Sequence, residues 1–162
     1  MTSSIDVEVA DHLSILSLYA RYARAIDSGN GAGYADCYHE EGKYISSTFG
    51  EASGTAELDN FAVEHYKRWI DQGIQTRHWN NQVLLERGAD GTIDGSVYVL
   101  LFGVRADEQP QPLIQTVYTD ILVKTTKGWR LKQRASNADS RPNPSRFGFS
   151  RWEGDGFQDG RR

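Results

Sequence analysis

After Gly73 the chain stops repeating every three or four residues and begins to alternate, and it does not switch back. Runs at about 74 to 86, 92 to 105, 113 to 126 and 128 to 137 read as strands. Only RGADG, the polar ADEQPQP and the tight TTKG separate them. Everything helical comes earlier. From Asp11, Leu13, Leu16, Ala20 and Ala23 recur at spacings of 3, 4 and 3, one face of an amphipathic helix, and Asp27 follows four residues further along the same stripe. The run SGNGAG ends that helix with glycine and asparagine. A short helix over about 34 to 39 is expected next. Glu41-Gly42 then turns the chain into the extended segment KYISSTFGE, and Thr55 caps a third helix whose stripe is Leu58, Phe61, Ala62, His65 and Trp69. Helices first and a mostly antiparallel sheet afterwards define an α+β fold with the helices segregated onto one face.

At 162 residues the chain suits one domain with a sizeable core. We place that domain at 1–138. The remaining stretch, 139–162, holds Pro142, Pro144, four glycines and five arginines without a period. It reads as an irregular C-terminal arm, either disordered or pinned by Phe147, Phe149, Trp152 and Phe157. VYVLLFGV is apolar at nearly every position, which calls for cover on both faces, one by helices and the other by a second subunit. A homo-oligomer, dimer or trimer, is the expectation.

Composition removes several classes of function. With 25% charged residues and a net charge of −4, no basic surplus exists for a nucleic acid or an acidic membrane surface. No run of about 18 apolar residues appears, and the N-terminus lacks a basic stretch followed by an apolar one, so a cytoplasmic address is expected. Cys37 is alone, with no intrachain disulfide available to it, and reads as a buried inert thiol. His12, His39, His65 and His78 lack HxH or HExxH spacing, and neither GxGxxG nor GxxxxGK[ST] occurs. Neither a metal nor a cofactor is expected.

What remains is the stretch QTRHWNNQ, where His78 interrupts a strand, and Asp27, a carboxylate closing an apolar stripe. A neutral imidazole with an unperturbed pKa of about 6.5 is available as a base near neutral pH. An aspartate on its other nitrogen would fix the tautomer and stabilise the imidazolium that forms. His65, on the stripe of the third helix, reads instead as a core histidine with a local partner.

LYARYARAIDSGN, YADCYHEEGKY, TRHWNN and QTVYTDILVKTTKGWRLKQR, in that order over about 13 to 137, resemble the SnoaL-like members of the nuclear transport factor 2-like superfamily. Within it the chain looks most like the scytalone dehydratase, bile acid dehydratase and hexachlorocyclohexane dehydrochlorinase relatives. The resemblance implies a cone: a strongly curved, mostly antiparallel sheet packed on about three N-terminal helices around a deep cavity. It also implies an acid/base pair in which Asp27 and His78 hold the family aspartate and histidine positions. Arg134 falls where some members carry a pocket arginine, and Tyr22 where others carry a tyrosine. Two difficulties stand beside those assignments. Strict alternation places Arg134 with Arg130 and Lys132 on a solvated face, so only a bulge or bend turns it inward. Tyr22 lies about 140° around an ideal helix from Asp27.

Tyr44, Trp79, Asn81, Tyr98, Tyr118 and Asn137 are candidates to line a pocket for a ring system, against the default that aromatics in a small domain are core. The function implied is a cofactor-independent lyase of the dehydratase kind, or an isomerase or cyclase, acting on a hydrophobic cyclic or polyketide-like molecule. The alternatives are epoxide hydrolysis, which in related folds uses an arginine between two aspartates, a non-catalytic small-ligand-binding module, and the small structural subunit of a ring-hydroxylating dioxygenase.

Overall fold

A computed structural model of the chain describes residues 7–138, so the expected C-terminal arm lies outside the described residues. The first helix, α1 (Val9–Ile26), buries Ile15, Leu18, Tyr19, Tyr22, Ala25 and Ile26. This is not the stripe expected from Leu13, Leu16, Ala20 and Ala23. Leu13 is 58% exposed, and the others flank an open cleft. The helix offers two apolar faces, and the one with the larger side chains, including two tyrosines, takes the core because it removes more apolar area from water.

The helix ends as SGN suggests. Gly29 adopts a left-handed conformation (φ 68°), and the Asn30 N–H reaches back to the Ala25 carbonyl at 2.9 Å. The Asn30 side chain also accepts from the Gly33 N–H, which starts α2 (Gly31–Ala35) three residues earlier than the 34–39 expected. The residues that follow belong instead to β1 (Tyr38–Ser46), which forms a hairpin with β2 (Gly50–Ser53). The Ser46 hydroxyl accepts from Thr48 and Phe49 N–H groups to close its turn.

Next comes α3 (Gly54–Ile70), with Ser53 and not Thr55 at its N-cap. The Glu57 carboxylate, in the first turn, reaches back to accept the Ser53 N–H at 2.9 Å. The stripe of α3 buries Leu58, Ala62, His65 and Trp69 as expected, with Phe61 partly covered.

The four long strands are β3 (Gln75–Arg87), β4 (Ile93–Val104), β5 (Gln111–Thr125) and β6 (Gly128–Ala138). They join the hairpin in one curled six-stranded sheet, order β2-β1-β6-β5-β4-β3, with every pair antiparallel except β1 with β6. The helices cover the concave face. Along β4 the inward residues Val97, Val99 and Leu101 are buried, while on the convex face Tyr98 is exposed and Leu100 and Phe102 are half-buried. Within one chain, then, the apolar run VYVLLFGV is covered on one side.

A break in alternation along β6 matters most for the interior. Gln133 pairs with Ile121 and Leu131 with Leu122, which leaves Lys132 as an extra residue without a partner. This bulge lets Leu131 and Arg134 both point inward at a spacing of three. Arg130 is buried too, its guanidinium donating to the Lys127 and Trp129 carbonyls, and only Lys132 of the three is exposed. The solvated face expected for Arg130, Lys132 and Arg134 therefore does not exist.

Candidate functional site

Because β3 is the edge of the sheet, its outward N–H groups are free for something other than a strand. The end of α1 supplies it. Asp27, the C-cap of that helix, receives the His78 N–H on Oδ2 at 2.8 Å and contacts His78 Nδ1 through Oδ1 at 2.7 Å. Thr76 Oγ1 donates weakly to the same Oδ1 at 3.4 Å, and Gln75 Nε2 donates to the Asp27 carbonyl at 3.0 Å. A carboxylate at a helix C-terminus meets the negative end of the macrodipole, so this position is electrostatically poor unless donors surround it. These donors do.

The carboxylate accepts only, so the proton of the neutral ring sits at Nδ1 and the lone pair at Nε2. Nε2 makes no hydrogen bond to a described residue. Both side chains are largely shielded, with exposures of 5% for His78 and 8% for Asp27. They border a cleft of about 790 Å³ between α1 and the edge of β3. Leu16, Ala20 and Ala23 form its helical wall, Tyr66 of α3 contributes, and Trp79, Asn80 and Val83 continue it along β3. The small residues of the expected apolar stripe thus make room rather than core.

Asp27 and His78 are brought together, and Trp79 lines the same cleft. Tyr22 and Arg134 are not part of it. α1 stays helical through Ile26, so the angular separation of Tyr22 from Asp27 is preserved and Tyr22 points into the core. There its hydroxyl lies 3.4 Å from that of Tyr34, which lies 3.1 Å from that of Tyr38. Arg134 is wholly buried and doubly bonded to Asp120, Nε to Oδ1 at 2.8 Å and Nη2 to Oδ2 at 2.6 Å. Its guanidinium also sits over the rings of Tyr22, Tyr118 and Tyr19, at 4.2, 4.3 and 4.9 Å. Burial opposes its charge, and Asp120 overrides that, holding Arg134 well above its ordinary pKa. Burial also pushes the phenols of Tyr34, Tyr38 and Tyr118 upward, so they remain protonated.

Tyr44 and Tyr118 belong to this buried aromatic layer, Tyr44 against Phe61 with ring centroids 4.7 Å apart. Asn81 and Tyr98 pair across β3 and β4 on the convex face and border a different depression of about 560 Å³. Asn137 pairs with Val117 in the sheet, and its side chain is outside what is described. Asn80, not among the residues expected to line a pocket, does line the cleft, and alternation explains why: with His78 facing inward, Asn80 shares its face and Asn81 does not. Cys37 is buried, and burial lifts its thiol to about 11, as befits an inert core residue.

His65 is the second imidazole nearby, its ring centroid 5.7 Å from that of His78. The Trp69 indole N–H donates to its Nε2 at 3.3 Å, the local partner expected. Burial, with the adjacent His78 adding to it, holds His65 well below the ordinary histidine value, so the ring is neutral. Between that lowered value and about 6.5 the unfolded chain takes up a proton that the folded chain refuses. Stability from this group is therefore complete above about pH 6.5 and declines as pH falls below it. Urea unfolding at pH 7.5 and 5.5 should show wild type losing about 1 kcal/mol more than His65→Leu on acidification. Equal losses in the two proteins would dismiss His65 as the cause.

A small α+β cup with a carboxylate–imidazole pair at the edge of its sheet defines a class of small-molecule-binding domains, and comparison identifies the family. The profile of the SnoaL-like domain matches residues 7–135, and the chain belongs to that family. No curated relative matches the sequence. Among solved structures the chain is similar to ActVI-ORFA from Streptomyces coelicolor, at 25% identity and a TM-score of 0.75 over 82% of this chain and 97% of that one. It also resembles Aln2 from another Streptomyces strain, at 20% identity and a TM-score of 0.73 over 82% and 93% of the two chains. An NTF2-like protein with a cystatin-like fold from Novosphingobium aromaticivorans is similar at 20% identity and a TM-score of 0.72 over 83% and 85%. The nuclear transport factor 2-like fold expected from the sequence is thereby shown. Among the described residues no helix is long and apolar enough to cross a membrane.

Proposed function

We propose that this protein is an acid/base enzyme, a lyase of the dehydratase kind or a related isomerase or cyclase, acting on a hydrophobic cyclic small molecule. The observation that carries the reading is the 2.7 Å contact from His78 Nδ1 to Asp27 Oδ1, with Nε2 unbonded among the described residues in a ring that borders the cleft. In a dehydration, Nε2 takes the proton α to a carbonyl. The electron pair of that C–H bond becomes the new C=C bond as the β C–O bond breaks, and the imidazolium returns its proton to the departing oxygen as water. Asp27 stabilises the imidazolium between those events.

No step falls to Tyr22 or Arg134, which are buried in the core and do not line the cleft, Arg134 being ion-paired with Asp120. Epoxide hydrolysis is less well supported, because among the described residues Asp120 is the only carboxylate bonded to Arg134. A carrier or a scaffold subunit has no use for an imidazole fixed in this tautomer. The test is α-proton exchange. Wild-type protein in D₂O with a panel of bicyclic aryl ketones should erase α-proton NMR signals faster than buffer alone, and a panel without any acceleration would end the reading.

A further inference from the structure

Asn80 lies two residues beyond His78 on β3, and period-two alternation sets both side chains on the concave face, roughly 7 Å apart along the strand. It lines the cleft, yet both ends of its amide, Oδ1 and Nδ2, are buried without a hydrogen-bond partner among the described residues. An amide shielded from water and left unpaired destabilises the fold, and a leucine would fill similar space without that cost. Such a group calls for a partner that the described residues do not supply.

We propose that Asn80 is the substrate-orienting residue of the cleft, and that the ligand presents an oxygen acceptor and a hydrogen-bond donor side by side, as a β-hydroxy carbonyl compound does. Nδ2–H donates to the carbonyl oxygen, and Oδ1 accepts from the hydroxyl. This rests on the acid/base reading above and deepens it. Charge moves onto the carbonyl oxygen as His78 removes the α-proton, so a donor fixed there strengthens its bond in the transition state. The same donor gives the pocket a reason to reject a ring lacking one of the two groups, since the amide is then left half-paired. Leu16, Ala20, Ala23 and Val83 supply the apolar wall against which the ring lies.

The experiment uses two unreactive probes, with binding read by isothermal titration calorimetry. 2-Naphthamide carries acceptor and donor side by side, and 2-acetonaphthone carries the acceptor alone. Wild type should bind the amide about tenfold more tightly than the ketone. Asn80→Leu should erase that preference while melting at the same temperature as wild type or higher. His78→Gln should retain it. Equal affinities in wild type, binding of neither probe, a preference that survives in Asn80→Leu, or a melting point several degrees lower in that variant would each overturn the assignment. If α-proton exchange fails while the probe preference holds and vanishes in Asn80→Leu, proton abstraction falls and the binding role of Asn80 stands.

Discussion

Replacing His78 by alanine is expected to lower the rate of α-proton exchange or elimination by about 10²- to 10⁴-fold, the range that a positioned general base supplies. Asp27→Asn should cost a comparable factor for a different reason. Its amide would have to accept the His78 N–H and also meet Nδ1, and wherever its NH₂ faces the ring the proton is driven to Nε2, the nitrogen meant to act as base. Since the two side chains form one unit, the double variant should fall no more than about threefold below the worse single variant. Steady-state kinetics of the three variants decide this. Exchange that persists undiminished without His78 leaves the pair as a structural clasp between α1 and β3.

Truncating Asp120 to alanine should produce the largest loss of stability. The Arg134 guanidinium is wholly buried under three tyrosine rings, and without its carboxylate it becomes an unpaired charge in the core. Breaking a buried pair by removing one partner costs about 3–5 kcal/mol. In a domain of this size that lowers the melting temperature by about 10 °C. The double change Asp120→Leu with Arg134→Met removes both charges and should recover much of the loss, because desolvation then no longer opposes folding. Denaturant unfolding of Asp120→Leu, Arg134→Met and the double variant gives the coupling directly. Additive losses would show that the two groups do not depend on each other.

Both predictions concern residues whose significance emerged at different stages. Asp27 and His78 are separated by 51 positions, yet they were legible as a pair because each violates its local pattern and their order matches a known family. A carboxylate at the end of an apolar stripe and an imidazole inside a strand are costly unless they meet. Asp120 drew no attention, since an aspartate in the middle of a strand carries no sign of its cross-strand neighbour, and Arg134 looked solvated.

By itself the sequence determined the first helix, the third, the four long strands and the α+β class, while the Asp27–His78 pair came from the family resemblance. Periodicity, capping residues and turns are properties of neighbouring positions, and they can be read without the rest of the chain. Tertiary structure alone decided which face of α1 is core, because two apolar faces compete and only the packed sheet favours Tyr19 and Tyr22 over Ala20 and Ala23. It likewise decided that β1 runs parallel to β6, a pairing between the beginning and end of the described chain. The direction of Arg134 is the sharpest case. One extra residue at Lys132 reverses the alternation beyond it, and the reversal is set by pairing with β5, not by the residues of β6 themselves.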